Sequence, residues 1–217
     1  MFRKLLALIA LTLTLAACAP QPEAAALVDI EPTATVAPSP TPFPMEGGVF
    51  SGAPQDFVLR ADELFGEYEA ADAGGESPNS AVLEGRADGA AYLAATGRLS
   101  GWRIQYNASG AGQAPPYIVN VVNVYESAAG AQLVLSRAWH QDVWALIDSG
   151  QLTQLPAIAG LDAEHLAWQT ADGAVGVEIV YRNLYIFFTG PGDGGDPLPR
   201  LAELALAHLE WIKAGEQ

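Results

Sequence analysis

Lysine is almost missing from this chain of 217 residues, occurring only as Lys4 and Lys213. A Schiff-base lysine or a Ser-Lys dyad therefore has next to no candidates. Cysteine occurs once, as Cys18, which excludes an internal disulfide and any thiolate-rich metal site. Basic residues number 10 against 25 acidic ones, for a net charge of −15. Nucleic acid and anionic lipid surfaces both call for clustered Lys and Arg, so neither is expected as a general partner, and the acidity is read as a device for solubility. Histidine is scarce: His140, His165 and His208 stand at no metal-ligand spacing, so no metal is expected. No HExxH and no GxSxG is present, and no cofactor is expected.

The chain opens Met1-Phe2-Arg3-Lys4, a short cationic start, followed by eleven residues, Leu5 to Leu15, that are apolar except for Thr12 and Thr14. That is the charged and apolar plan of a secretory signal. A membrane-spanning helix takes about 20 apolar residues, so this run is too short to be one. The next residues, Leu15-Ala16-Ala17-Cys18, resemble the lipobox of bacterial lipoproteins. The resemblance implies that the signal, residues 1–17, is cut before Cys18, that the thiol is diacylated and that the new amino terminus is acylated. Two or three acyl chains, at about 0.8 kcal/mol per buried methylene, hold a protein on a bilayer durably. The chain is thus expected to be lipid-anchored on the extracytoplasmic face of the cell membrane. Loss of Arg3 and Lys4 with the signal would leave 8 basic residues and a net charge of −17.

From Cys18 to Glu46 the composition turns to Pro, Ala, Thr and Glu, with prolines at 20, 22, 32, 38, 40, 42 and 44. Such a stretch buries too little surface to offset its ordering entropy and reads as a disordered tether. In polyproline II at about 3.1 Å per residue, it would hold the domain at most ~90 Å from the bilayer.

Residues 47–217 suit one globular domain. Phe57-Val58-Leu59 reads as a short opening strand, Gly66 to Asn79 as loop, and Asp88 to Ala95 as a helix stopped by Gly97. Trp102 to Tyr106 begins a strand, and Tyr117 to Tyr125, apolar on both faces apart from Asn120 and Asn123, reads as a central one. Ser127 to Ile147 reads as one long helix with a stripe of Ala131, Val134, Leu135, Ala138, Trp139, Ala145 and Leu146. Strands at His165 to Gln169, Val175 to Tyr181 and Leu184 to Thr189 follow, the last two joined by a tight turn at Arg182-Asn183. A helix from about Pro199 to Lys213 closes the chain with Leu201, Leu204, Ala205, His208 and Ile212 on one face. The expected class is α+β: a single, mainly antiparallel sheet covered on one side by two main helices. This order of elements over residues 57–213 is similar to that of the PsbP-like domains of thylakoid-lumen proteins and some bacterial lipoproteins. That resemblance implies a non-catalytic binding or assembly module and assigns no residue.

Gly190-Pro191-Gly192-Asp193-Gly194-Gly195 satisfies GxGxxG between a strand and a helix. A dinucleotide site needs free amides facing a pyrophosphate, whereas Pro191, Pro197 and Pro199 remove amides and Asp193 and Asp196 repel phosphate, so the segment reads as a connection. Those two carboxylates also fall short of the six to eight oxygens that calcium takes. The acids at 62, 63, 67, 69, 72 and 76 read as a solvated face. His208, on an apolar helix face, reads as a hydrogen-bonded core histidine. Asp142 falls on the apolar stripe of the long helix, where a carboxylate has to be paired, protonated or facing a cavity, unless the helix breaks near His140 and leaves it wet.

The leading reading is a non-catalytic binding or protein-interaction module whose partner is a protein or a small molecule, with Trp144, Trp139 and Asp142 as the candidate binding residues. Trp144 lies off the stripe, either as an exposed anchor or as part of a second core. The rival is an extracytoplasmic hydrolase assembled in space around His140 with Asp142, or His208 with a nearby carboxylate. The anchor is tested by Cys18→Ser, which should abolish metabolic labelling with a fatty acid and leave the signal uncut. Continued labelling of that variant would sink the assignment.

Overall fold

The structure is a computed structural model that describes residues 42–110, 112 and 114–216. The signal, Cys18 and all but the end of the tether lie outside the described residues. A short hairpin comes first, β1 (Met45–Glu46) with β2 (Val49–Phe50), then a 3-10 turn at Pro54–Phe57. There follow β3 (Tyr68–Ala70), β4 (Gly75–Ser77), α1 (Asn79–Gly85), α2 (Gly89–Thr96), β5 (Arg98–Ala108) and β6 (Tyr117–Tyr125). The second half holds α3 (Ala128–Leu133), α4 (Gln141–Asp148), β7 (Leu152–Gln154), β8 (Glu164–Thr170), β9 (Val175–Tyr181), β10 (Leu184–Gly190) and α5 (Leu198–Ala214).

β3 to β10 make one eight-stranded sheet in the order β3-β5-β6-β10-β9-β8-β7, with β4 sharing the outer edge of β5 with β3. Every neighbouring pair is antiparallel, and the class is α+β. β6 and β9 span the residues expected of them, and Gly97 ends α2 in the left-handed region at φ 62°, where the absence of a Cβ removes the steric cost.

The helices differ from expectation in placement, since they divide between the faces of the sheet. Val175, Val177 and Ile179 of β9 and Leu184, Ile186 and Phe188 of β10 pack with Leu201, Leu204, Leu209 and Ile212 of α5. On the opposite face Val180 and Tyr185 pack with Ala131, Val134 and Leu135, and with Val143, Trp144 and Ile147 of α4. All six residues from Val175 to Val180 are buried, so both sides of this strand have to be covered.

The long helix expected over Ser127 to Ile147 is also two helices. Ser127 caps α3 by accepting from Gly130 N at 3.0 Å, and the helix ends where the Ser136 hydroxyl donates to Leu133 O at 2.6 Å. A serine that binds the preceding turn in this way competes with the helical ladder. Phe57-Val58-Leu59 forms no strand, because Leu59 N donates to the Asn120 side chain at 2.9 Å in place of a neighbouring backbone. The run read as loop supplies β3 and β4, held on the long edge of β5.

Folded structure also begins before residue 47. Phe43 N donates to Gly215 O at 2.8 Å, and its ring sits 4.9 Å from Trp211 and 4.8 Å from Phe57. Asn183 ties the opening hairpin to the sheet: its Oδ1 accepts from Phe50 N at 2.8 Å, while its Nδ2 donates to Phe50 O and Tyr125 O. Asn183→Ala would leave these three backbone groups unpaired in the interior and should cost about 3 kcal/mol, read from urea unfolding. A loss under about 1 kcal/mol would show that the hairpin is held by its phenylalanines alone.

Candidate functional site

The three histidines test the hydrolase reading directly. His208 is fully buried on α5, its Nε2 donating to Phe57 O at 2.9 Å and its Nδ1 lying 2.9 Å from Glu63 Oε1. Phe57 O only accepts, so the remaining ring nitrogen shares a single proton with the carboxylate. Glu63, read above as part of a solvated acidic face, is buried, and its Oε2 accepts from Arg60 N at 2.7 Å. The pair is a tie between α5 and the segment after the 3-10 turn. His208 further stacks on Trp211 at 5.3 Å.

The break between α3 and α4 brings His140, the residue before α4, over β9. Its Nε2 lies 2.7 Å from Glu178 Oε2, off the line of a good hydrogen bond, with 16% of the side chain exposed. Glu178 is 1% exposed. Trp168 Nε1 donates to its Oε1 at 2.6 Å and the Tyr185 hydroxyl to its Oε2 at 3.0 Å. The indole reaches that oxygen because Gly176, two residues before Glu178 on the same face, has no side chain to obstruct the ring. Burial first, then Glu178, pushes the Tyr185 hydroxyl well above the usual phenol range. Nearby, Tyr92 and Tyr125 meet through their hydroxyls at 3.0 Å. Glu178 was not among the residues singled out from sequence. Its signal was there, as the one charge in a strand otherwise apolar.

Asp142 is exposed, because the helix breaks before it. Trp139 is half-buried against Tyr92, and Arg86 donates to its carbonyl. Trp144 is half-buried too, its Nε1 donating to Leu135 O at 3.0 Å and its ring covered by Arg137 at 4.4 Å, so it belongs to the second core. None of the three lines either of the two hollows described below. The glycine-rich Gly190 to Gly195 segment connects β10 to α5, Gly192 packing closely on Gly173, while Asp196 accepts from Leu198 N at 3.0 Å. Among the described residues no three of His, Cys, Asp or Glu converge as metal ligands, and no helix is long and apolar enough to cross a membrane.

The third histidine leads to a cleft. His165, at the start of β8, accepts from Ile158 N through Nε2 at 3.0 Å. The other nitrogen, Nδ1, then carries the proton and donates to Ala163 O at 2.8 Å. This ring ties the segment between β7 and β8 to the start of β8, and the segment runs beside α5. Between them lies a cleft of about 500 Å³, lined by Pro156, Ile158, Leu198, Pro199, Ala202 and Leu206. Glu203 is its charged member, and that carboxylate is 2.6 Å from Arg200. A smaller hollow of about 290 Å³ lies beside Thr96, Gly97 and Ser127. Neither contains a histidine.

No family model matches the chain, and no curated protein matches it in sequence. Among solved structures, the extracellular domain of PknH from Mycobacterium tuberculosis is similar, at 11% identity over 73% of this chain and 97% of that one, with a TM-score of 0.37. So loose a likeness tells nothing of the chemistry of either site.

Burial pushes the hydroxyls of Tyr106, Tyr125 and Tyr185 upward. They stay protonated in the fold, whereas the unfolded chain ionises them near pH 10, so it binds fewer protons above that value. The stability tied to them is full below about pH 10 and is lost as pH rises beyond it. Urea midpoints should therefore fall steadily from pH 9.5 to 11.5, with tyrosinate absorbance at 295 nm rising in step with unfolding. A constant midpoint would contradict the assignment.

Proposed function

We propose that the protein is a lipid-anchored, extracytoplasmic, non-catalytic binding module, and that the cleft between α5 and the β7–β8 segment holds its ligand. The address follows from the signal and the lipobox-like Leu15-Ala16-Ala17-Cys18. The observation that carries the binding reading is the contrast between cleft and histidines: the apolar cleft of about 500 Å³ has no histidine, serine or threonine in its lining and its single carboxylate is paired with Arg200, while each histidine is turned into the fold.

The cleft's size and lining define the occupant. About 500 Å³ lies within the range of small-molecule pockets and is a concavity, unlike the broad faces of protein interfaces. Its one carboxylate, Glu203, is paired with Arg200 at 2.6 Å, and every other side chain that lines the cleft is apolar. The ligand is a small, uncharged, apolar molecule, which a protein outside the cytoplasm would carry or sense at the membrane.

One observation favours a hydrolase as the second reading: His140 sits over the buried Glu178, and a carboxylate behind an imidazole is an arrangement that general bases use. Among the described residues, however, no serine or threonine hydroxyl is hydrogen-bonded to any histidine ring. A stably folded His140→Gln that had lost its cellular role would favour this alternative.

The cleft is tested with Nile red, an uncharged apolar dye. It should bind at one site with a rise in fluorescence, and Ala202→Trp, which fills the half-exposed floor of the cleft, should weaken binding at least tenfold without lowering the melting temperature. Equal binding by the filled variant would place the dye elsewhere and sink the reading.

A further inference from the structure

We infer that the cleft holds its ligand only while His165 is neutral, the imidazole acting as a pH-sensitive clamp on the cleft's outer wall. This rests on the cleft being the binding site, and adds how it is controlled.

The argument begins with a backbone amide. Ile158 N–H is partly buried and points at His165 Nε2 from 3.0 Å. An amide only donates, so Nε2 has to present a lone pair, and the proton of the neutral ring sits on Nδ1, where Ala163 O receives it at 2.8 Å. A protonated ring carries hydrogen on both nitrogens. Its Nδ1 keeps Ala163, but its Nε2–H then faces Ile158 N–H, donor against donor, and the amide has no acceptor. Protonation therefore turns one of the two bonds that pin the wall into a repulsive contact.

What that bond holds is the wall itself. Ile158 lines the cleft, and Leu161 N closes the next turn onto Ile158 O at 3.2 Å before Leu161 enters the core. Releasing Ile158 moves the side chain that faces Leu206 and Ala202, so the cleft loses its shape on one side. Pro156, which has no N–H, offers no donor there.

The charges around the ring do not replace the lost bond. Asp162 and Glu164 precede it in the chain and both are exposed. From α5, Lys213 Nζ lies 3.6 Å from Asp162 and 3.2 Å from Glu210, so the cation and two of the acids of this corner are already engaged with one another. β9 opposes His165 with Ile179 and turns Glu178 to the other face of the sheet. The remaining histidines differ in their surroundings, His140 lying 2.7 Å from Glu178 and His208 2.9 Å from Glu63, whereas His165 has no carboxylate against its ring.

The test uses the lipid-free protein with residue 18 replaced by serine and the signal omitted. At pH 8, ring nitrogen NMR should give the Nδ1–H tautomer for His165. When acid protonates the ring, the protection factor of the Ile158 amide, its exchange rate corrected for the intrinsic pH dependence of exchange, should fall about fivefold or more, the factor for losing one hydrogen bond of ordinary net strength. Nile red affinity should fall by a similar factor. His165→Gln, whose carbonyl can accept from Ile158 at any pH, should bind with an affinity that does not change from pH 8 to 5, whereas His140→Gln should keep the pH dependence. An Nε2–H tautomer at pH 8, or an Ile158 amide indifferent to titration of the ring, overturns the clamp, and both are read on the unsubstituted side chains whether or not His165→Gln folds. Failure of Nile red to bind at pH 8, with the amide still responding to the ring, would instead overturn the cleft as the binding site and leave the clamp standing.

Discussion

β9 lies between two packed layers, and the rest of the architecture answers to that constraint. Val175, Val177 and Ile179 face α5, while Gly176, Glu178 and Val180 face α3 and α4, and all six are buried. A strand hidden on both faces cannot be served by helices on one side only. The chain therefore passes α3 and α4 over one face before β7 and brings α5 over the other at its end. The sheet edges, far from these covers, are finished by the short strands β3, β4 and β7.

Two covers on one sheet have to be positioned, and much of the positioning is done by polar side chains in the interior. Asn183 fixes the hairpin, Asn120 bridges Leu59 N and Phe187 O, and His208 with Glu63 ties α5 to the segment before β3. Under the other cover Glu178 gathers Trp168, Tyr185 and His140. Burial also lowers the Arg98 guanidinium below its ordinary value, and it is held by Ser77, Asn79 and Asn123 without a carboxylate. Removing one partner from such a group exposes the full desolvation cost of the other, which makes each arrangement all-or-none. Apolar surfaces slide past one another more cheaply than these bonds allow.

The elements legible in the sequence were those whose own residues decide their state. β6, β9, β10 and α5 carry long runs of one period, and the buried face of α5 was readable down to His208. What escaped was decided by distant residues. Leu59 is extended in propensity, yet its amide is taken by Asn120, 61 positions away. The stripe through Ser127 to Ile147 has helical spacing, but one serine hydroxyl closes the first helix, and the second is rotated so that Trp144 goes inward and Asp142 outward. Glu63 looks on paper like any solvated acid, and Glu178, though marked by the apolar strand around it, names no partner. Only the fold supplies the imidazoles that make them interior groups, which is why the histidines were visible as candidates and their partners were not.

The cleft follows from the same economy of donors. α5 spends its Leu201, Leu204 and Leu209 face on the sheet, and its flank at Leu198, Ala202 and Leu206 is left over. The β7–β8 segment approaches that flank without closing on it. Prolines stand on both walls, Pro156 and Pro199, and a proline brings apolar surface without an N–H that would need an acceptor. Ile158 is the wall residue whose amide does turn inward, and His165 answers it. An apolar ligand can take this place because the lining asks for no hydrogen bond from it; the one request the wall makes is met from behind, by a ring whose ability to accept depends on its proton.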